Sequence, residues 1–151
     1  QAGAWVNPLT LLPPVVDRDP PVVKRIALRR GDRVIDLAPG AVVAPGPAEV
    51  LVEAYDVRGD VRFLWPLAPY AVRLELNGAE VARLAFEALQ VREGRMTIAG
   101  TTLAARDVHA ADRMLRLGTV ELRGGESHLN AVVRDFAGNE ASREVFFRVR
   151  D

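Results

Sequence analysis

Residues 124–150 read GGESHLNAVVRDFAGNEASREVFFRVR, and this stretch decides the fold. In its first half Leu129, Ala131 and Val133 alternate with Asn130, Val132 and Arg134, and in its second half Val145, Phe147 and Val149 alternate with Phe146, Arg148 and Arg150. A period of two sends successive side chains to opposite faces, so both halves predict strands with one buried face. Between them Asp135-Phe-Ala-Gly-Asn139 supplies a turn, where Gly138 and Asn139 tolerate positive φ and Asp135 can fold its carboxylate onto the loop amides. A hairpin cannot bury its apolar face alone, so upstream segments have to supply an opposing sheet.

Those segments are present. Val22 to Leu28 predicts a first strand and Val34 to Leu37 a short second one, followed by a Pro/Gly-rich connection over 38–47. Val50, Val52 and Ala54 alternate in the next strand, and Val72, Leu74 and Leu76 in another, closed by the hairpin dipeptide Asn77-Gly78. Val81 to Phe86 is its expected return arm, although Val81, Leu84, Ala85 and Leu89 also suit a helix face. Residues 90–118 predict a long, partly irregular insertion, a loop or lid, with a short strand at Met96 to Ile98 and a helical turn within Ala104 to Leu115. Thr119 to Leu122 returns to strand pattern. Seven to eight short strands at turn-punctuated spacing predict an all-β fold, an antiparallel β-sandwich of immunoglobulin-like type, with a barrel as the alternative.

Composition narrows the function classes. Twenty basic and twenty acidic residues cancel and are interleaved, which argues against a nucleic-acid footprint or a polybasic membrane anchor. No apolar run approaches the ~20 residues of a membrane-spanning helix. The absence of cysteine excludes disulfides and thiolate metal sites. The hydrophobic content of 49% suffices for one core, and the start at Gln1, without Met or a leader, predicts a piece of a longer protein.

Residues 1–16, QAGAWVNPLTLLPPVV, are apolar and broken by Asn7-Pro8 and Pro13-Pro14, which suits a strap on a surface outside the main domain. Asp17-Arg-Asp-Pro-Pro21 then marks a linker feeding an edge strand, so the domain boundary falls at residue 17 and the sandwich covers 17–151.

Two resemblances follow from these residues. From Asp17-Arg-Asp-Pro-Pro21 to Asp135-Phe-Ala-Gly-Asn139 the pattern resembles the immunoglobulin-like or fibronectin-like modules appended to bacterial envelope proteins. Trp5-Val-Asn-Pro-Leu-Thr-Leu-Leu-Pro13 resembles the closing tail of lysostaphin-like, LytM-type zinc peptidoglycan endopeptidases. The second likeness implies that residues 1–16 are the tail of an upstream peptidase domain plus a linker. It implies a partner in the same polypeptide, with peptidoglycan or an envelope protein as further partners, and an extracytoplasmic location in the periplasm or cell envelope. Zinc is implied for the upstream domain only. The family's His-x-x-x-Asp and His-x-His elements are absent here, so no catalytic residue carries over.

The chain's own residues point the same way. A hydrolytic zinc centre needs about three convergent ligands, and His109 and His128 are isolated in sequence. Ser127-His128 adjacency is no triad signal, because triad members meet through the fold. Neither a catalytic constellation nor a cofactor site is expected. Asp17 and Asp19 enter the first strand at the pole where strands ending in Asp56 and Asp135 terminate. Such an oxygen-rich group suits calcium, with turn capping the favoured reading. Phe63, Trp65 and Tyr70 lie in an aromatic, Pro-rich loop that could stack on sugars or a partner protein, the alternative function, although burial is favoured. The expected function is therefore a non-catalytic accessory module that positions or covers a catalytic domain.

Overall fold

A computed structural model describes residues 3–13, 16–57 and 66–151. Among the described residues the strands in chain order are β1 (Ala4–Val6), β2 (Val22–Arg30), β3 (Arg33–Asp36), β4 (Val42–Val43), β5 (Gly46–Tyr55), β6 (Ala71–Leu76) and β7 (Ala79–Ala85). They continue with β8 (Ala88–Arg92), β9 (Arg95–Ile98), β10 (His109–Ala111), β11 (Met114–Leu122), β12 (Gly125–Arg134) and β13 (Glu140–Val149). Among the described residues the helical content is two single 3-10 turns, Pro8–Leu11 and Ala105–Asp107. The protein is all-β.

Two five-stranded sheets, ordered β10-β11-β5-β2-β3 and β4-β13-β12-β6-β7, face each other as a sandwich, and β1-β8-β9 forms a small third sheet. The predicted hairpin is the spine of the second sheet. In register Leu129 faces Val145 and Ser127 faces Phe147, so their side chains share one face. That face meets Ile26 and Leu28 of β2 and Val50 and Val52 of β5 in one continuous core. The β6–β7 connection is the two-residue turn foreseen from Asn77-Gly78, with φ of 52° and 81°, the pair of positive values that matches the twist of a hairpin. Residues 79–85 are thus strand rather than helix.

The structure corrects the expectation for residues 90–118. The expected short strand at Met96 to Ile98 is present within β9, but in place of an irregular insertion around it the stretch holds the end of β8, then β10, followed by β11, which pairs with β5 along its length and starts at Met114, five residues before the expected Thr119. A register irregularity between Arg116 and Gly118 hid it. Leu115 and Leu117 face the core, then Val120 and Leu122 do, so the inward phase slips by one residue at Gly118, where φ is 116°. An extra residue in one strand breaks the alternation that a period-two search relies on. The expected helical turn shrinks to Ala105–Asp107. The strands among the described residues also exceed seven to eight: β1, β4 and β10 are two or three residues long and carry no readable period, and β8 was not foreseen as a strand.

The outer face of the first sheet is closed by charge. Arg25 of β2 pairs with Glu53 of β5 and Asp36 of β3, Lys24 joins Glu53, and Arg29 and Arg116 clasp Glu49 from either side. Beneath these side chains Ala27, Leu51 and Met114 form a small buried island. The aliphatic stems of Lys24 and the arginines shield it, and the largely buried Glu53 and Glu49 carboxylates are each neutralised by two cations.

Candidate functional site

The acidic pole is built by two strand ends and one linker. β5 runs out at Tyr55 and presents Asp56, β12 runs out at Arg134 and presents Asp135, and the linker before β2 brings in Asp17. Oxygens of the three carboxylates lie within 4.8 Å of one another, with Asp56 and Asp135 buried. Asp56 is positioned through its backbone, which exchanges hydrogen bonds with Leu67 at 2.8 and 3.1 Å. The linker is fastened by Asn139, whose Nδ2 donates to the Asp17 carbonyl at 3.1 Å.

Asp135 does what its place in the turn predicted. Oδ1 accepts the amides of Gly138 and Asn139 at 2.7 and 2.8 Å, and Oδ2 accepts the Asn139 side-chain amide at 2.7 Å. Gly138 holds φ at 97°, whereas Asn139 stays outside the left-handed region. Asp17 Oδ1 accepts the Asp19 amide at 3.1 Å, a local cap of the same kind. Of the four aspartates singled out from the sequence, Asp17, Asp56 and Asp135 converge, while Asp19 contributes its backbone amide. Among the described residues this triad is the group of titratable side chains close enough to hold a metal ion, and an all-oxygen donor set would suit a hard cation such as calcium. Its hydrogen bonds at Asp17 and Asp135 are those of turn caps.

The histidines do not meet. His109 lies in β10 of the first sheet and His128 in β12 of the second. His128 stacks flat on Phe146, with centroids 4.3 Å apart and 9° between planes, and its Nε2 is 3.7 Å from a Glu144 oxygen. Ser127 is buried toward the core while its neighbour His128 points to the opposite face, as strand geometry requires.

Phe63 and Trp65 of the aromatic loop lie outside the described residues. Tyr70 is half-buried and fully engaged. Its ring meets Phe136 edge-on at 5.3 Å and 87°, the Arg134 guanidinium lies 5.4 Å from its centroid, and its hydroxyl donates to Glu87 at 3.2 Å. Burial and the neighbouring Glu87 carboxylate push its phenol pKa up. It is a structural residue of this pole rather than an open stacking platform.

What the sequence reading missed is the pairing that lays the apolar strap, residues 4–12, on β8 of this same chain. β1 pairs antiparallel with β8, Trp5 opposite Leu89. Asn7 locks the segment, its Nδ2 donating to the Phe86 carbonyl at 2.8 Å and its amide to the Glu87 carbonyl at 2.7 Å. It also accepts the Leu9 amide at the start of the 3-10 turn. Trp5, Val6, Leu11 and Leu12 nevertheless remain more than half exposed. The Asn7-Pro8 dipeptide signalled the turn, but three strand residues are too few to signal the pairing.

Fold and site together define an all-β sandwich with a carboxylate pole and an apolar strap lying on a side hairpin. A protein-family model matches residues 20–150, and the chain belongs to that family. The strap precedes the matched region. No curated protein matches the chain, and no described helix is long and apolar enough to cross a membrane.

Proposed function

We propose that this chain is a non-catalytic, immunoglobulin-like accessory module of a bacterial cell-envelope zinc metallopeptidase, positioning or covering a catalytic domain in the same polypeptide. The observation that carries the reading is the strap. Its backbone is laddered to β8 from Ala4 to Val6 and Asn7 is tied to the Phe86 and Glu87 carbonyls just before that strand, yet its large side chains face water, at a cost of about 1.5 kcal/mol or more each unless something covers them. A neighbouring domain would cover them. The family match starting at residue 20 supports treating 1–16 as a separate unit. The sheet order, with β4 running parallel to β13 at one edge, supports the immunoglobulin-like reading. The alternative of sugar or protein binding by the loop at 63–70 draws nothing from Tyr70, whose ring and hydroxyl are already engaged. The peptidase identity and the extracytoplasmic location come from the likeness of Trp5 to Pro13 to a LytM-type tail.

Hydrogen exchange tests the docking. Residues 4–12 should be protected in the longer natural polypeptide and exchange quickly in the isolated chain, and Trp5→Asp should erase the protection. Equal exchange in both forms rules out a covering neighbour, and upstream sequence without a His-x-His strand removes the peptidase.

A further inference from the structure

The outer face of the second sheet holds a hollow of about 410 Å3 near the acidic pole. Its floor follows from register. Ala71 of β6 sits between Ala85 of β7 and Arg134 of β12, and Arg73 lies between Arg83 and Val132. Small side chains on adjacent strands leave a depression that the longer ones around them wall in.

Three guanidinium groups line it, those of Arg73, Arg83 and Arg134, against the carboxylates of Glu87 and Glu140. Their states differ. Arg83 is held in a two-pronged pair with Glu80, at 3.0 and 2.8 Å. Glu87 accepts the Tyr70 hydroxyl. Arg134 lies on the Tyr70 ring and, among the described residues, makes neither an ion pair nor a side-chain hydrogen bond. Tyr70 is itself wedged against Phe136, so this cation is held in place with all its donors unspent. Arg73 forms an ion pair with Glu75, Nε to oxygen 3.2 Å, but the buried Nε makes no hydrogen bond to it. Arg73 and Arg134 are diagonal neighbours on adjacent strands, with a separation of roughly 7 to 8 Å at the backbone that two long side chains can close onto one group.

The geometry points to a carboxylate-binding site in this hollow, with Arg134 and Arg73 as the grip. A planar, singly charged carboxylate matches the guanidinium fork. Glu87 and Glu140 in the same lining disfavour a doubly charged phosphate. Glu140, directly opposite Arg134 in register, is placed to accept a hydroxyl or amide donor from the body of the same ligand. The volume suits one sugar ring or the last residues of a peptide. The carboxylate can thus come from a peptide C-terminus or from an acidic sugar. This site is distinct from the strap and independent of what covers the strap.

The test is a titration of the 15N-labelled chain with N-acetyl-alanyl-alanine, with the C-terminal amide of that dipeptide, and with D-glucuronate. We expect saturable shifts at the side-chain N–H groups of Arg73 and Arg134 and at the amides of Ala71, Ala85 and Thr101 with at least one carboxylate, and the better ligand names the source. The dipeptide amide should bind at least about tenfold more weakly than the free dipeptide if that is the source. Arg134→Gln and Arg73→Gln should each weaken binding about tenfold or more without changing the melting temperature. Should either variant fail to fold, the other decides. Absence of saturation with both carboxylates by about 20 mM, equal binding of the dipeptide and its amide without glucuronate binding, or undiminished binding in the folded variants overturns the site.

Discussion

The C-terminal hairpin and the N-terminal strap are both paired through their backbones, yet their side chains end in opposite environments. In β12 and β13 Leu129, Val133, Val145 and Phe147 are at most 1% exposed. In the strap Trp5 is 53% and Leu11 78% exposed, although β1 is laddered to β8. A ladder satisfies amides and carbonyls, but apolar side chains leave water only when a second layer covers them. The hairpin has β2 and β5 opposite it, and the strap has nothing among the described residues.

The largest expected effect lies in the covered region. Leu129→Ala should cost about 2–5 kcal/mol in denaturant unfolding, since it opens a cavity under two sheets, whereas Leu11→Ala should stay within about 0.5 kcal/mol. Similar losses at both positions would abolish the contrast. Next comes the turn that joins the hairpin. Asp135→Ala strands the Gly138 and Asn139 amides and should cost roughly 2 kcal/mol, measured in the same way. Gly138→Val should cost about 1 kcal/mol or more, because a β-branched residue is penalised at φ 97°. An unchanged unfolding midpoint would mean that the turn relaxes freely.

A smaller effect belongs to the charged outer face opposite the hairpin. Burial pushes the Glu53 carboxyl up, but the hydrogen bonds from Arg25 and Lys24 outweigh it and hold the pKa below the usual 4.5. A depressed pKa contributes stability that is fully present above the ordinary value and is lost as pH falls through the folded one. Glu53→Gln should therefore lower the melting temperature at neutral pH and flatten its decline below about pH 4.5. A parallel decline in both proteins would show that the ladder contributes no proton linkage. The smallest effect should come from the strap itself. Removing residues 1–16 should leave the melting temperature of the isolated chain unchanged, and limited proteolysis should cut before Asp17 first. A clear loss of stability would make the strap part of this core.

Much of the fold was legible because it is written in short-range pattern. The alternation from Leu129 to Val149, the Asn77-Gly78 turn and the Asp135 cap each depend on residues a few positions apart. β11 was half-legible, since Val120 and Leu122 kept the period after Gly118 while Leu115 and Leu117 sat on the other side of the slip. The acidic pole was partly legible, because the strands ending in Asp56 and Asp135 were expected to terminate at the pole where Asp17 and Asp19 enter. Which of four aspartates would converge was not, because Asp17 reaches the pole through Asn139, a contact 122 residues away in sequence.

The sequence alone determined an all-β chain with one buried hairpin face, an apolar leading segment and turns at Asn77-Gly78 and Asp135 to Asn139, because backbone period and turn chemistry act between near neighbours. Only the tertiary structure decided that the strap lies on β8 with its large side chains exposed, that three aspartates meet, and that Arg73 and Arg134 flank one hollow with donors to spare. These depend on which strands are adjacent and in what register, and a one-residue shift would send every side chain concerned to the other face.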